Sequence, residues 1–354
     1  MSLQNFTGLD FDQIKTTLQD YIKSNSEFTD YEFEGSNLST ILDVLAYNTY
    51  INSYNANMVS NEVFIDSATL RENVVALARN IGYLPRSKKA SRNKITFLVD
   101  MSSVAPTPSS LTLKKGPVAS TGNQFGGQSF VFCIPDDKTV GVTEVSDATG
   151  SGRVATFEDL DVYEGTLLTQ TFTYNVNNPF AKFILPNTGI DLDTLTVKVK
   201  SNNNSTTQVE YVKQESLFAE KTGTTINGES NVYFINEVES EQYQLIFGDG
   251  IFGKALQDGN VVEASYVVTN GESANGISLL TFAGRLIYNR NSVDYNVTSG
   301  ISLLNTVGPS SGGEAIESVD SVKKYAPQVY GTQNRALTAN DYEILIPNKI
   351  YPEA

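Results

Sequence analysis

Thr194-Leu195-Thr196-Val197-Lys198-Val199-Lys200 decides the fold class of this chain. Apolar residues alternate there with Thr and Lys at a period of two, which gives an extended strand one dry face and one wet face. The pattern recurs where Tyr243, Leu245 and Phe247 alternate with Gln242 and Gln244, and again along Val262, Ala264, Tyr266 and Val268. Between such runs stand Asn202-Asn203-Asn204-Ser205, Asn227-Gly228, Asp258-Gly259 and Asn270-Gly271, turn residues that tolerate positive φ. Tight turns join antiparallel neighbours, whereas parallel strands need long crossovers. An antiparallel β-rich body is therefore expected from Ile95 to about Val307.

Outward from this body the period becomes helical. Ile14, Leu18, Tyr21 and Ile22 form one stripe, and Leu38, Ile41, Leu42 and Leu45 form a second, with Ser36 or Asn37 available as its cap. A third stripe, Phe64, Ala68, Leu70, Val74, Leu77, Ala78 and Ile81, stops at Gly82 with Pro85 beyond. Tyr47, Tyr50 and Tyr54, with Asn48, Asn52, Asn55 and Asn57, keep helical spacing between the second and third stripes. Their expected role is packing among these helices. After Gly312-Gly313 the helical period returns at Ile316, Val319 and Val322 and is expected to end before Pro327. Thr338-Ala339-Asn340-Asp341 then caps a short helix. The fold class is α+β: a helical arm over residues 1–90, the β-rich body over 91–310, and the start of a C-terminal α/β segment over 311–354. A length of 354 residues suits two to three domains at roughly 150 residues each. No tandem repeat of fixed period is visible.

Composition removes whole classes of chemistry. The sequence has no His, which excludes imidazole-based acid/base sites, Ser-His-Asp and Cys-His nucleophiles, and imidazole metal ligation. A single cysteine, Cys133, allows neither an intrachain disulfide nor a thiolate zinc cage, as suits a reducing compartment. With 25 Lys and Arg against 40 Asp and Glu, the net charge of −15 sets no general field for nucleic acid or an anionic membrane. The N-terminus lacks a basic segment followed by an apolar run. The longest apolar stretches, such as Val74 to Ala78, fall far short of the ~18 residues that span a bilayer. A soluble protein made in the cytoplasm is expected.

Charge is also uneven along the chain. Residues 1–66 hold ten acids and only Lys15 and Lys23, whereas 79–94 hold Arg79, Arg86, Lys88, Lys89, Arg92 and Lys94 and no acid. Without interleaved aromatics beyond Tyr83, this basic run is expected to be a solvated or protein-facing linker that meets an acidic neighbouring surface, not nucleic acid.

Gly248-Asp249-Gly250-Ile251-Phe252-Gly253-Lys254 satisfies seven positions of a phosphate-cradling loop. The eighth is Ala255, which cannot ligate magnesium, and the chain returns to a strand where a helix N-terminus is needed, so a glycine-rich hairpin corner is expected. Asp191 and Asp193, or Glu237, Glu239 and Glu241, have no spacing for calcium or for paired-carboxylate catalysis; solvated strand faces are expected for both. No catalytic residue, cofactor or metal site is assigned.

The run Asn37-Leu38-Ser39-Thr40-Ile41-Leu42-Asp43-Val44-Leu45-Ala46-Tyr47-Asn48-Thr49-Tyr50, then Asn61 to Val75 and Ile81-Gly82-Tyr83-Leu84-Pro85-Arg86-Ser87, resembles the N-terminal part of the baseplate wedge proteins of large contractile-tailed bacteriophages. Phe247-Gly248-Asp249-Gly250, Gly253-Lys254, Gly271 to Gly276, Ser311-Gly312-Gly313-Glu314, Arg335-Ala336-Leu337-Thr338 and Asp341-Tyr342-Glu343 are similar to signatures of the wider baseplate J-like family.

The resemblance implies a structural subunit of the virion tail baseplate, made in the host bacterial cytoplasm. Its copies would join the wedges into an inner ring around the hub, and its helices would enter a core bundle with other wedge subunits. A contact with the sheath-initiating subunit would relay rearrangement to sheath contraction. The interface is expected at Leu38, Ile41, Leu42, Leu45, Tyr47, Tyr50, Leu70, Val74 and Leu77 of the arm and at Arg86, Lys88 and Lys89. Proteins of this kind continue past the Asp341-Tyr342-Glu343 helix, so this sequence implies either a shortened form or a ring contact built differently. The Tyr, Asn and Asp content also suits a rival reading, a β-rich tail module binding host carbohydrate; a hydrolase with paired carboxylates is a third.

Overall fold

A computed structural model describes residues 10–25, 36–122, 127–147, 150–178, 181–214, 226–333 and 335–346. The acidic stretch 26–35 and the last residues, 347–354, lie outside the described residues. The chain divides into two compact units: Met1–Tyr83 with Val319–Arg335, and Leu84–Ser318 with Ala336–Ala354.

The first unit contains α1 (Phe11–Asn25), α2 (Asn37–Glu62), α3 (Arg71–Asn80) and α4 (Val319–Thr332). α1 packs on α2, and α3 on α4. α2 begins where the sequence says, because the Ser36 side chain accepts the Ser39 amide and satisfies a donor that the helix cannot. It then runs for 26 residues, so the Tyr- and Asn-rich segment belongs to it and Asn52 donates to Asn48 along its surface at 2.7 Å.

The third stripe is shorter than expected, since residues 63–70 form a turn and the helix starts only at Arg71. Glu62 explains the break: its carboxylate accepts the amides of Thr69 and Leu70, the Thr69 hydroxyl and the Asn73 amide, capping α3 from the preceding helix. Burial works against this charged carboxylate, but the hydrogen bonds outweigh it and hold its pKa at about 2. α3 ends as expected. Gly82 takes φ +78°, Tyr83 donates to the Ala78 carbonyl and Gly82 to that of Arg79, closing the last turn.

α4 departs from expectation by continuing through Pro327 to Thr332. Val322, Ala326 and Val329 are buried at helical spacing, and packing on α3 offsets the hydrogen bond that proline cannot make.

The second unit holds three sheets. One runs Thr281–Phe282, Gly116–Ser120, Val131–Ile134, Gly150–Glu164, Arg92–Asp100 and Ile301–Thr306, with Thr143–Asp147 also paired to Gly150–Glu164. The next runs Thr166–Thr173, Val261–Val268, Ile190–Lys200, Gln208–Lys213, Val232–Glu237, Tyr243–Phe247 and Phe183–Leu185. The smallest runs Val293–Val297, Leu286–Arg290, Ser110–Leu113 and Lys138–Gly141. Pairing is antiparallel as expected, except that Gln208–Lys213 lies parallel to Val232–Glu237.

Leu195, Val197 and Val199 face a core with Leu245, Tyr243, Ala264 and Tyr266, as their alternation requires. Thr194, expected on the wet face, is buried. The register shifts between Asp191 and Thr196, and its hydroxyl donates to the Asp191 carbonyl while accepting the Val267 amide. α5 (Ala339–Leu345) carries the expected cap, with Thr338 and Asp341 bonded reciprocally.

Both chain passages at the limit of this unit run side by side. Arg92 exchanges backbone hydrogen bonds with Ser311, Lys89 does so with Glu314, and Glu317 donates to the Arg86 carbonyl while its carboxylate accepts the Arg86 amide. Segments 86–92 and 311–317 thus form an antiparallel ladder.

Candidate functional site

α2 is apolar on more faces than its own unit covers. Leu42 (2% exposed), Ala46 and Ser39 form the buried stripe, whereas Ile41 (54%), Val44 and Leu45 (48%) stand exposed at three- and four-residue spacing. Tyr47 (60%), Tyr50 and Tyr54 project on another flank, and Val59 (68%), Val63 and Phe64 extend the exposed apolar surface to the helix end. A surface helix normally turns charge toward water. One that is apolar beyond its packed stripe belongs inside a larger structure. The charged side chains near this surface are few: Asp43 pairs with Lys15 of α1 at 2.7 Å, and Glu62 is spent on capping α3.

The expected interface residues separate in the structure. Ile41, Leu45, Tyr47, Tyr50 and Leu70 are exposed, and Leu38 and Leu77 are half-buried. Leu42 and Val74 are taken up by the core of the helical unit itself, so the second stripe does have an intrachain partner along one edge. Val44, Val59 and Phe64 complete the exposed surface, though the expected interface did not include them. Val44 lies three residues after Ile41, a signal the helical period already contained.

Arg86, Lys88 and Lys89 lie elsewhere, in the strap 84–92 of the second unit. Of the expected solvated or protein-facing linker, the solvated alternative is corrected there. Lys89 is buried and its backbone is bonded to Glu314, the Ala90 amide donates to Asp191, and the Ser87 hydroxyl accepts the Leu192 amide. Arg92 meets Asp193 at 3.4 Å and lies over the Tyr163 ring, while Lys94 approaches Asp161 at 4.0 Å. The acids missing from the local sequence arrive from other strands. Asp191 and Glu237 are buried, not on solvated faces. Burial raises the Asp191 pKa, an effect that the Ala90 and Asp193 amides oppose. Lys88 lines a cavity of about 430 Å³ with Thr188, Asn270 and Glu241.

The glycine loop has its amides occupied. Asp249 accepts those of Ile251 and Phe252 at 2.9 and 2.8 Å, Gly250 donates to Gly253, Gly253 to Asn227, and Lys254 to Ser230. A Cβ at Gly248 would stand 2.1 Å from the Gly253 carbonyl carbon, so the glycines serve a close backbone crossing. These amides are not free to wrap a phosphate. Cys133 is buried, and burial with the nearby Glu164 charge pushes its thiol up to about 12. Among the described residues no three His, Cys, Asp or Glu side chains converge as metal ligands would.

The described structure thus combines a long helix that exposes an apolar face with a glycine loop and a basic strap whose polar groups are engaged in holding the β-rich unit. Residues 10–83 match the family described as baseplate wedge protein gp6-like, helical domain. The chain is similar to the baseplate wedge protein gp6 of Enterobacteria phage T4, at 25% identity over 361 aligned positions that cover 97% of this chain. Residues 10–83 thus match the helical domain of the baseplate wedge proteins, as the sequence resemblance implies, and the similarity to the phage protein continues through the β-rich unit. The chain spans about 50% of the length of that phage protein. A chain in the six-fold symmetrised cryo-EM structure of the anti-feeding prophage baseplate also matches, with a TM-score of 0.29 and 13% identity over 100% of this chain and 66% of that one.

Proposed function

We propose that this chain is a non-enzymatic structural subunit of a contractile-tail baseplate, located in the virion, and that α2 is its assembly element. The observation that carries the reading is the exposed surface of Ile41, Val44, Leu45, Tyr47, Tyr54 and Val59 on one 26-residue helix. Similarity to a baseplate wedge protein along 97% of the chain supports it. In this reading the helix enters a bundle with helices of other copies and other wedge subunits, and the copies close an inner ring around the hub. A contact with the sheath-initiating subunit relays baseplate rearrangement to sheath contraction. Covering two such side chains stabilises a complex by about 3 to 6 kcal/mol, enough to decide an association of ordinary affinity.

The test is size-exclusion chromatography with light scattering, on the chain alone and co-expressed with the neighbouring tail proteins of its virus. The expected result is a defined hetero-oligomer that Ile41→Asp with Leu45→Asp abolishes. A chain that stays monomeric beside all those neighbours overturns the reading.

A further inference from the structure

The β-rich unit holds a second cavity, of about 430 Å³, whose charge runs against that of the chain. Lys114, Lys115 and Arg285 line it, with Asp137 as the one acid, so its lining carries a net +2 on a chain of net −15. The walls are fixed by backbone. Lys114 and Lys115 form the turn between Ser110–Leu113 and Gly116–Ser120, and the Lys114 amide donates to the Arg285 carbonyl at 2.9 Å.

Asp137 is already engaged. It accepts the Lys114 ammonium at 2.6 Å and the Lys115 amide at 2.8 Å. Burial works against its ionised form, but these bonds and the two lysine charges outweigh it and hold the carboxyl below the ordinary range. Lys115 and Arg285 are left over. Neither forms an ion pair among the described residues, and Arg285 spends its Nε on Asn296 at 3.2 Å, which leaves its terminal nitrogens for an acceptor.

We propose that this cavity is an oxyanion-binding site, in which Lys115 and Arg285 hold a carboxylate or phosphate group beside the closed Lys114–Asp137 pair. A planar guanidinium and an ammonium on residues that line one cavity are the donor set that such groups select. The oxyanion has two sources: an acidic side chain of a second copy of this chain, which carries 40 carboxylates, or free phosphate. The proposal is independent of the baseplate reading, since none of these residues belongs to the helical unit.

Isothermal titration of the full chain with inorganic phosphate, against chloride at equal ionic strength, tests it. Saturable binding is expected, at least tenfold weaker in Lys115→Gln with Arg285→Gln and retained in the charge-conserving Lys115→Arg. Absence of saturable binding to the unaltered chain, or equal affinity in the double variant at an unchanged melting temperature, overturns the site. Sedimentation velocity at low salt then separates the sources. Self-association that phosphate reverses and the double variant lacks identifies a carboxylate of a second copy; phosphate binding without such association identifies the free ion.

Discussion

Glu62 makes four hydrogen bonds into the start of α3, and its pKa of about 2 fixes the direction of a pH effect. A folded-state value below the ordinary 4.5 means that the contribution is complete above about pH 5 and is lost as pH falls through the folded value. Glu62→Gln should therefore lower stability by about 1 kcal/mol at pH 7, discounted for partial solvent exposure, and the difference from the unaltered chain should shrink between pH 4.5 and 2. Urea denaturation at both ends of that range measures it, and a constant difference would remove Glu62 as the cap. Leu42 sits one residue from Ile41 yet plays a different part. Leu42→Ala should cost about 2 to 5 kcal/mol of the helical unit's own stability, whereas Ile41→Ala should leave the melting temperature nearly unchanged and act only on complexes. Cys133 should resist alkylation in the folded chain at pH 8 and react at once in denaturant, because the thiolate is the reactive form.

At the scale of elements, α2 shows what periodicity reveals and what it omits. The stripe Leu38, Ile41, Leu42, Leu45 marks a helix, yet it does not say which edge the chain covers by itself; in the structure α1 packs on α2, and Leu42 is buried while Ile41 and Leu45 stay exposed. Cap and stop signals were legible because their physics is local: Ser36, Gly82 and Thr338 each act within six residues. The extension of α4 past Pro327 was not, because its support comes from α3, far away in sequence. The burial of Asp191 escaped for the same reason, its donor being the amide of Ala90. For the glycine loop the missing Ser or Thr after Lys254 already argued against nucleotide, and the structure adds the occupied amides. Titration with ATP and magnesium should leave the melting temperature unmoved, and a saturable rise would contradict this. Gly253→Ala should destabilise the β-rich unit by more than 1 kcal/mol, since the residue sits at φ +87° with a Val232 methyl 2.7 Å from the position of a Cβ.

Across the whole molecule, charge separated in sequence is rejoined in space. Arg92 and Lys94 of the basic run find Asp193 and Asp161 within their own unit, while the backbone of the run pairs with 311–317, so reversing the buried Lys89 and the paired Arg92 to Glu should lower the melting temperature. The ladder of 86–92 with 311–317 also has a mechanical meaning. Its two strands enter from the same end, so tension that pulls them apart peels the bonds singly, beginning at Arg86 and Glu317. Tension carried by both strands together loads them in parallel and passes straight into the sheets. Such a tether is soft to splaying and stiff to a straight pull.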